Sequence, residues 1–122
     1  MPAPPLIAII EDDDSLRPAL IGLVRSLGYD GEGFASAEAF LDAGAQHRAA
    51  CLVTDLQLPG LGGLELKSKL AASGCALPAI VITARGEAAL EERALACGAL
   101  CLLRKPFEAD ALIAAIERAL DS

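Results

Sequence analysis

Tryptophan is absent from this chain, and one Tyr and three Phe bring aromatics to only 3% of residues, which argues against a surface of base-stacking platforms. Basic residues are scarce as well: ten Lys and Arg stand against 17 Asp and Glu, for a formal net charge of −7. A surface this acidic repels phosphate backbones, so no direct grip on nucleic acid is expected. Cys51, Cys75, Cys97 and Cys101 contain no CxxC pair, and with His47 they match no zinc-ligand spacing. Each cysteine lies in an apolar or small-residue run and is expected to be a small buried hydrophobe. There is no basic leader, and no apolar stretch approaches the roughly 20 residues of a membrane span. The run Leu6 to Ile10 is short and ends in acids, unlike a signal segment. The expectation is a cytoplasmic protein without a membrane partner.

What is present is aliphatic. Hydrophobic residues make up 54% of the 122 and charged residues 22%, which excludes disorder driven by charge. The length suits one domain over residues 1–122, with 1–5 as a disordered or extended tail. Five short apolar runs alternate with amphipathic segments. Leu6–Ile10, Cys51–Asp55 and Ala79–Thr83 read as strands buried on both faces, Tyr29 to Phe34 as a weaker strand, and Leu100 to Arg104 as a fifth. Leu16, Leu20, Leu23, Val24 and Leu27 follow helical spacing, with Asp14 or Ser15 as N-cap and Gly28 as stop. Ser36 caps a short helix carrying Phe40 and Leu41. Further helices are predicted over Leu64 to Ser73 and Glu87 to Cys97, with a last one presenting Leu112, Ile113, Ile116 and Leu120 on one face. This alternation predicts an α/β fold, a five-stranded parallel sheet with helices on both sides.

Ligands of such sheets bind outside the carboxyl ends of the strands. There the first strand ends in Glu11, Asp12 and Asp13, the third in Asp55, the fourth in Thr83 and the fifth in Lys105. Crowded carboxylates repel, and a hard divalent cation such as Mg²⁺ together with the Lys105 ammonium would relieve them. One carboxylate could then act as a nucleophile toward phosphorus, with the metal, Lys105 and the Thr83 hydroxyl sharing the phosphoryl charge. Taken singly, each residue has an ordinary reading as a helix cap, a strand end, a turn residue or a surface lysine. Their placement on four different strand ends favours the chemical reading.

In this order, Ile9-Ile10-Glu11-Asp12-Asp13, Asp55-Leu56-Gln57-Leu58-Pro59-Gly60, Ile82-Thr83-Ala84 and Lys105-Pro106-Phe107 resemble the receiver domain of two-component response regulators, from Leu6 to Leu120. The resemblance implies a doubly wound, three-layer, flavodoxin-like fold with strand order 2-1-3-4-5. It implies Asp55 as phosphoacceptor, and Glu11, Asp12, Asp55 and the Gln57 backbone carbonyl as ligands of Mg²⁺. Thr83, Ala84 and Lys105 would contact the phosphoryl group, and Lys105–Pro106 would be a cis peptide. A histidine kinase is the implied phosphodonor. The fourth helix, fifth strand and fifth helix form the implied readout face, for a homodimer or for a C-terminal effector domain outside this chain. Glu11 stands where Asp is commoner, and Leu102 stands at the family's aromatic switch position, with no ring to swing. Asp13 reads as a nearby acid or helix cap. Three other readings stand beside this one. A haloacid-dehalogenase-like phosphohydrolase would want a second Asp where Gln57 stands. A flavin carrier would want a phosphate-cradling loop in place of four acids. The third is a scaffold receiver that never takes phosphate.

Overall fold

Side chains alternate across a strand, and here both faces of the strands are apolar. A computed structural model describes residues 4–56, 58, 60–83, 88–96 and 98–121, and of Leu64 and Leu90 only the backbone. Its strands are β1 (Leu6–Ile10), β2 (Asp30–Phe34), β3 (Cys51–Asp55), β4 (Ala79–Thr83) and β5 (Cys101–Arg104). They pair in parallel in the order β2-β1-β3-β4-β5. The helices are α1 (Leu16–Ser26), α2 (Ala37–Asp42), α3 (Gly63–Ala72), α4 (Ala88–Ala96) and α5 (Ala109–Asp121). On one face Ile7, Ile9, Val53, Ile80 and Ile82 pack against Leu20 and Val24 of α1 and Leu112 and Ile116 of α5. On the other, Ala8, Ile10 and Leu52 meet Phe40 of α2 and Leu66 and Leu70 of α3. Leu56, Val81 and Ala94 form a smaller cluster under α4. Each fully buried Leu or Ile contributes about 1.5–3 kcal/mol. This is the doubly wound, three-layer fold with the expected strand order.

β2 is a weak strand by composition because its glycines face a helix. A Cβ at Gly31 would lie 2.7 Å from Val24 Cγ2, and one at Gly33 would lie 2.5 Å from Ile21 Cδ1. The missing side chains let α1 lie close against the sheet.

Several local expectations change. Ser15 occupies the N-cap of α1 without a side-chain bond. The cap is instead Asp13, whose Oδ1 accepts from the N–H groups of Ser15 at 2.7 Å and Leu16 at 3.1 Å. Gly28 does end α1, at φ 92°, and Ser36 does cap α2, accepting from Ala39 N at 3.1 Å. A 3₁₀ turn at Ala45–His47 carries no sequence signal of its own. In α5 the buried stripe is Leu112, Ala115, Ile116 and Ala119, with Ile113 at its half-buried margin, because small alanines let the helix approach the sheet. Cys51 is buried, but Cys75 and Cys101 are only half-buried, and Cys97 lies outside the described residues. Burial pushes the Cys51 thiol up to about 12, which leaves it unreactive. Of the expected tail, residues 1–3 lie outside the described residues, and the Pro5 carbonyl accepts from Asp30 N at 3.0 Å. Among the described residues no helix is long and apolar enough to cross a membrane.

Gly63 opens α3 directly beside the end of β3. A Cβ there would lie 2.7 Å from the Asp55 carbonyl oxygen and 3.1 Å from Leu56 Cα, main-chain atoms that cannot rotate aside. Gly63→Ala is expected to lower the unfolding free energy by about 1–3 kcal/mol in urea titrations. A change within ~0.5 kcal/mol would show that the loop has room to yield.

Candidate functional site

The site lies where β1, β3, β4 and β5 run out at the same edge. Glu11 follows β1, held by its N–H bond to the Phe34 carbonyl at 3.0 Å, and is 1% exposed. Asp55 is the last residue of β3 and is buried. Leu56 N then donates to the Ile82 carbonyl at 2.7 Å, so the chain beyond Asp55 stays on the sheet for one more step. Thr83, fully buried at the end of β4, lies one register step beyond the Asp55–Ile82 pair. Its carbonyl accepts from Lys105 N at 2.8 Å. The Lys105–Pro106 peptide is cis.

Lys105 joins these strand ends. Its Nζ donates to Asp55 Oδ2 at 2.8 Å and sits 2.9 Å from Glu11 Oε1. The contact to Glu11 is an ion pair without hydrogen-bond alignment, which leaves Oε1 a buried oxygen lacking a directed donor. Glu11 Oε2 accepts from Asp13 N at 3.2 Å. One carboxylate oxygen each from Glu11, Asp12 and Asp55 fall within 4.8 Å of one another. When all three are ionised, Lys105 compensates only one of their charges. A hard divalent cation fits this donor set, since it favours carboxylate oxygens and would neutralise what Lys105 does not.

Burial is the largest influence on Glu11 and raises its carboxyl above the ordinary 4.5, against the lowering effect of Lys105. For Lys105 burial pulls downward, but the bond to Asp55 and the ion pair with Glu11 outweigh it and hold the ammonium above the ordinary 10.5. The N–H groups of Leu16 and Ser15 lower Asp13.

The structure thus gathers Glu11, Asp12, Asp55 and Lys105, with Thr83 on the neighbouring strand end. Leu102 is elsewhere, half-buried against Leu56, Val81 and Ala94 under α4. Gln57 and Ala84 lie outside the described residues. Two supporting residues escape a sequence reading. Arg17 Nη1 donates to the Glu11 carbonyl at 2.8 Å while Nη2 holds Asp14 at 2.7 Å, bracing the acidic loop. Only its spacing of three from Asp14 hinted at this. Glu38 on α2 accepts from Leu61 N at 3.2 Å across 23 residues of sequence, a contact with no local signal. Beside Lys105, a shallow and mainly apolar pocket of about 590 Å³ is lined by Leu16, Ala19, Pro106 and Phe107, with Asp13 and Ser15 at its rim.

The family model of the response regulator receiver domain matches residues 7–117. Transcriptional regulatory protein FixJ of Azorhizobium caulinodans is 41% identical over 120 residues, covering 98% of this chain and 57% of that protein. Response regulator protein TmoT of Ectopseudomonas mendocina is 37% identical over 115 residues, covering 94% and 52%. The crystal structure of FixJ-N superposes with a TM-score of 0.87 at 34% identity, covering 96% of this chain and 94% of that one. Full-length FixJ from B. japonicum gives 0.90 at 37% identity, covering 98% and 59%. This chain spans little more than half the length of the two relatives.

An acid whose pKa is raised by folding costs stability as pH rises from its unfolded to its folded value, because the native state keeps a proton the unfolded chain has released. Lys105, raised in the folded state, stabilises fully below the ordinary lysine value and loses its effect as pH climbs through the folded one. Lys105→Ala takes away the group that restrains Glu11. It is expected to cost about 1–3 kcal/mol at neutral pH, below the usual figure for a buried pair because the lysine is partly exposed. The deficit should shrink as pH falls toward 4.5 and Glu11 is protonated, read by denaturant unfolding at several pH values. A deficit independent of pH would mean that the lysine does not act through the Glu11 charge.

Proposed function

Because this chain belongs to the response regulator receiver domain family, a family of signalling domains, we propose that it takes a phosphoryl group onto Asp55 from the phosphohistidine of a histidine kinase. The observation that carries this reading is the Lys105 ammonium held on both Asp55 and Glu11. An Asp55 oxygen attacks phosphorus in line, the phosphorus–nitrogen bond breaks, and the donor imidazole leaves with its electron pair. Lys105 turns from the carboxylate to the phosphoryl oxygens, and the Thr83 hydroxyl donates to another. Glu11, Asp12 and Asp55 would hold Mg²⁺, with the Gln57 carbonyl as a further ligand and Ala84 beside the phosphoryl group. The bound cation supplies charge neutralisation at the phosphoryl oxygens.

The acyl phosphate replaces one carboxylate charge with roughly −1.5 to −2, and satisfying it biases the fold between two arrangements. The readout face is α4, β5 and α5, for a homodimer or an effector domain. The greater length of the relatives, one of them named a transcriptional regulatory protein, supports an effector domain following residues 1–122 in a longer cytoplasmic regulator. The domain's own catalysis is confined to gaining and losing its phosphoryl group.

With acetyl phosphate and Mg²⁺, the chain is expected to gain one phosphoryl mass in intact-protein mass spectrometry, and Asp55→Asn is expected to gain none. Labelling of Asp55→Asn at the wild-type rate would refute Asp55 as acceptor. A wild-type chain that never labels would favour the scaffold reading.

A further inference from the structure

Away from the acidic edge, one more carboxylate is buried among the described residues. Glu91, in the first turn of α4, is 6% exposed. A carboxylate in such a place is costly unless paired. Its partner is Arg104, the last residue of β5, whose Nε donates to Glu91 Oε1 at 2.6 Å. The arginine side chain is itself 66% exposed, so the carboxylate depends on the arginine more than the reverse.

We infer that Glu91 and Arg104 are a positioning pair that holds α4 on the end of β5 and sets how readily the site leaves the arrangement in which Lys105 donates to Asp55. The inference rests on the phosphoacceptor reading above. Three observations carry it. Arg104 is the register partner of Thr83 across β4 and β5. It directly precedes Lys105, whose N–H is bound to the Thr83 carbonyl at 2.8 Å. The pair therefore fastens α4 to the end of β5, which leads into Lys105 and lies in register with Thr83 at the end of β4, the two residues proposed to contact the phosphoryl group. Two residues earlier on the same face of β5, Leu102 offers only aliphatic contact with Leu56, Val81 and Ala94. It has no polar atom through which to hold α4.

An interaction biases a two-state equilibrium only if its strength differs between the states. At 2.6 Å the Arg104–Glu91 contact is already at the short end for a charge-assisted N–H···O bond. A switch that shifts α4 on β5 stretches this contact, so the pair favours the arrangement seen here. Loss of the pair makes switching easier.

The test is a titration of the chain with beryllofluoride in the presence of Mg²⁺, followed by fluorine NMR, with thermal unfolding recorded separately. Glu91→Gln and Arg104→Gln are expected to reach half-saturation at beryllofluoride concentrations about fivefold lower than wild type or less. Arg104→Lys, which restores the charge, should recover most of the wild-type midpoint. Midpoints for both Gln variants at or above the wild-type value would overturn the inference, whatever happens to stability, and reduce the pair to a structural brace. Should Arg104→Gln fail to fold, the isosteric Glu91→Gln decides alone. A wild-type chain that takes up no beryllofluoride would overturn the phosphoacceptor reading and this inference with it. Uptake by wild type with unchanged variant midpoints overturns the inference only.

Discussion

The ammonium of Lys105 lies 2.8 Å from Asp55 and 2.9 Å from Glu11, and the acidic edge of the sheet is arranged around it. Neither carboxylate has enough solvent to be stable alone: Glu11 is 1% exposed and Asp55 8%. One cation that serves both makes their burial tolerable. The contact also spans the sheet. Glu11 follows β1, Asp55 ends β3 and Lys105 follows β5, with β4 lying between the last two. A side chain on the edge strand thus draws together the ends of strands that share no hydrogen bonds with its own. When the three carboxylates of the cluster are ionised, one ammonium does not balance them, and a hard divalent cation fits that donor set.

Around that contact the structure spends polar groups on holding loops rather than on the site itself. Asp13 caps α1, Arg17 ties the Glu11 carbonyl to Asp14, and Glu38 reaches from α2 to Leu61 in the loop beyond β3. Gly63 lets α3 begin against the Asp55 carbonyl, where any side chain would collide. Each constraint fixes the backbone next to a residue with a proposed chemical role, while that residue's own side chain meets other charges. On the far side of β5 the Glu91–Arg104 pair extends the same pattern to α4. The strand ends and their neighbouring helices form one mechanical unit.

How far these features can be read from sequence depends on whether their cause is local. The strands β1, β3 and β4 are continuous apolar runs buried at nearly every position, and a doubly covered parallel strand has no other composition open to it. Asp55 stands out because a charge that closes such a run lies at the sheet edge, whereas Lys105 follows Arg104 on the half-buried β5 and is marked less sharply. β2 reads poorly for a reason outside itself, since Gly31 and Gly33 answer to α1. Ser15 holds the N-cap position of α1 as expected, but the capping oxygen comes from Asp13, because chain direction, not residue type, decides which oxygen meets the free N–H groups. Half-burial of Cys75 and Cys101 was missed because small apolar neighbours in sequence do not guarantee neighbours in space. Glu38, Arg17 and Glu91 carry no signal of their roles, since their partners are set by packing.

The order of apolar runs, amphipathic helices and strand-terminal charges was sufficient by itself to determine a parallel α/β sheet and the residues gathered at one edge, because each follows from local period and from where a charge interrupts it. Tertiary structure alone decided that Lys105 serves two carboxylates at once, that Glu11 is the one most fully removed from water, and that Glu91 is buried against Arg104. Those are distances between side chains far apart along the chain, and burial and pairing belong to the packed molecule as a whole.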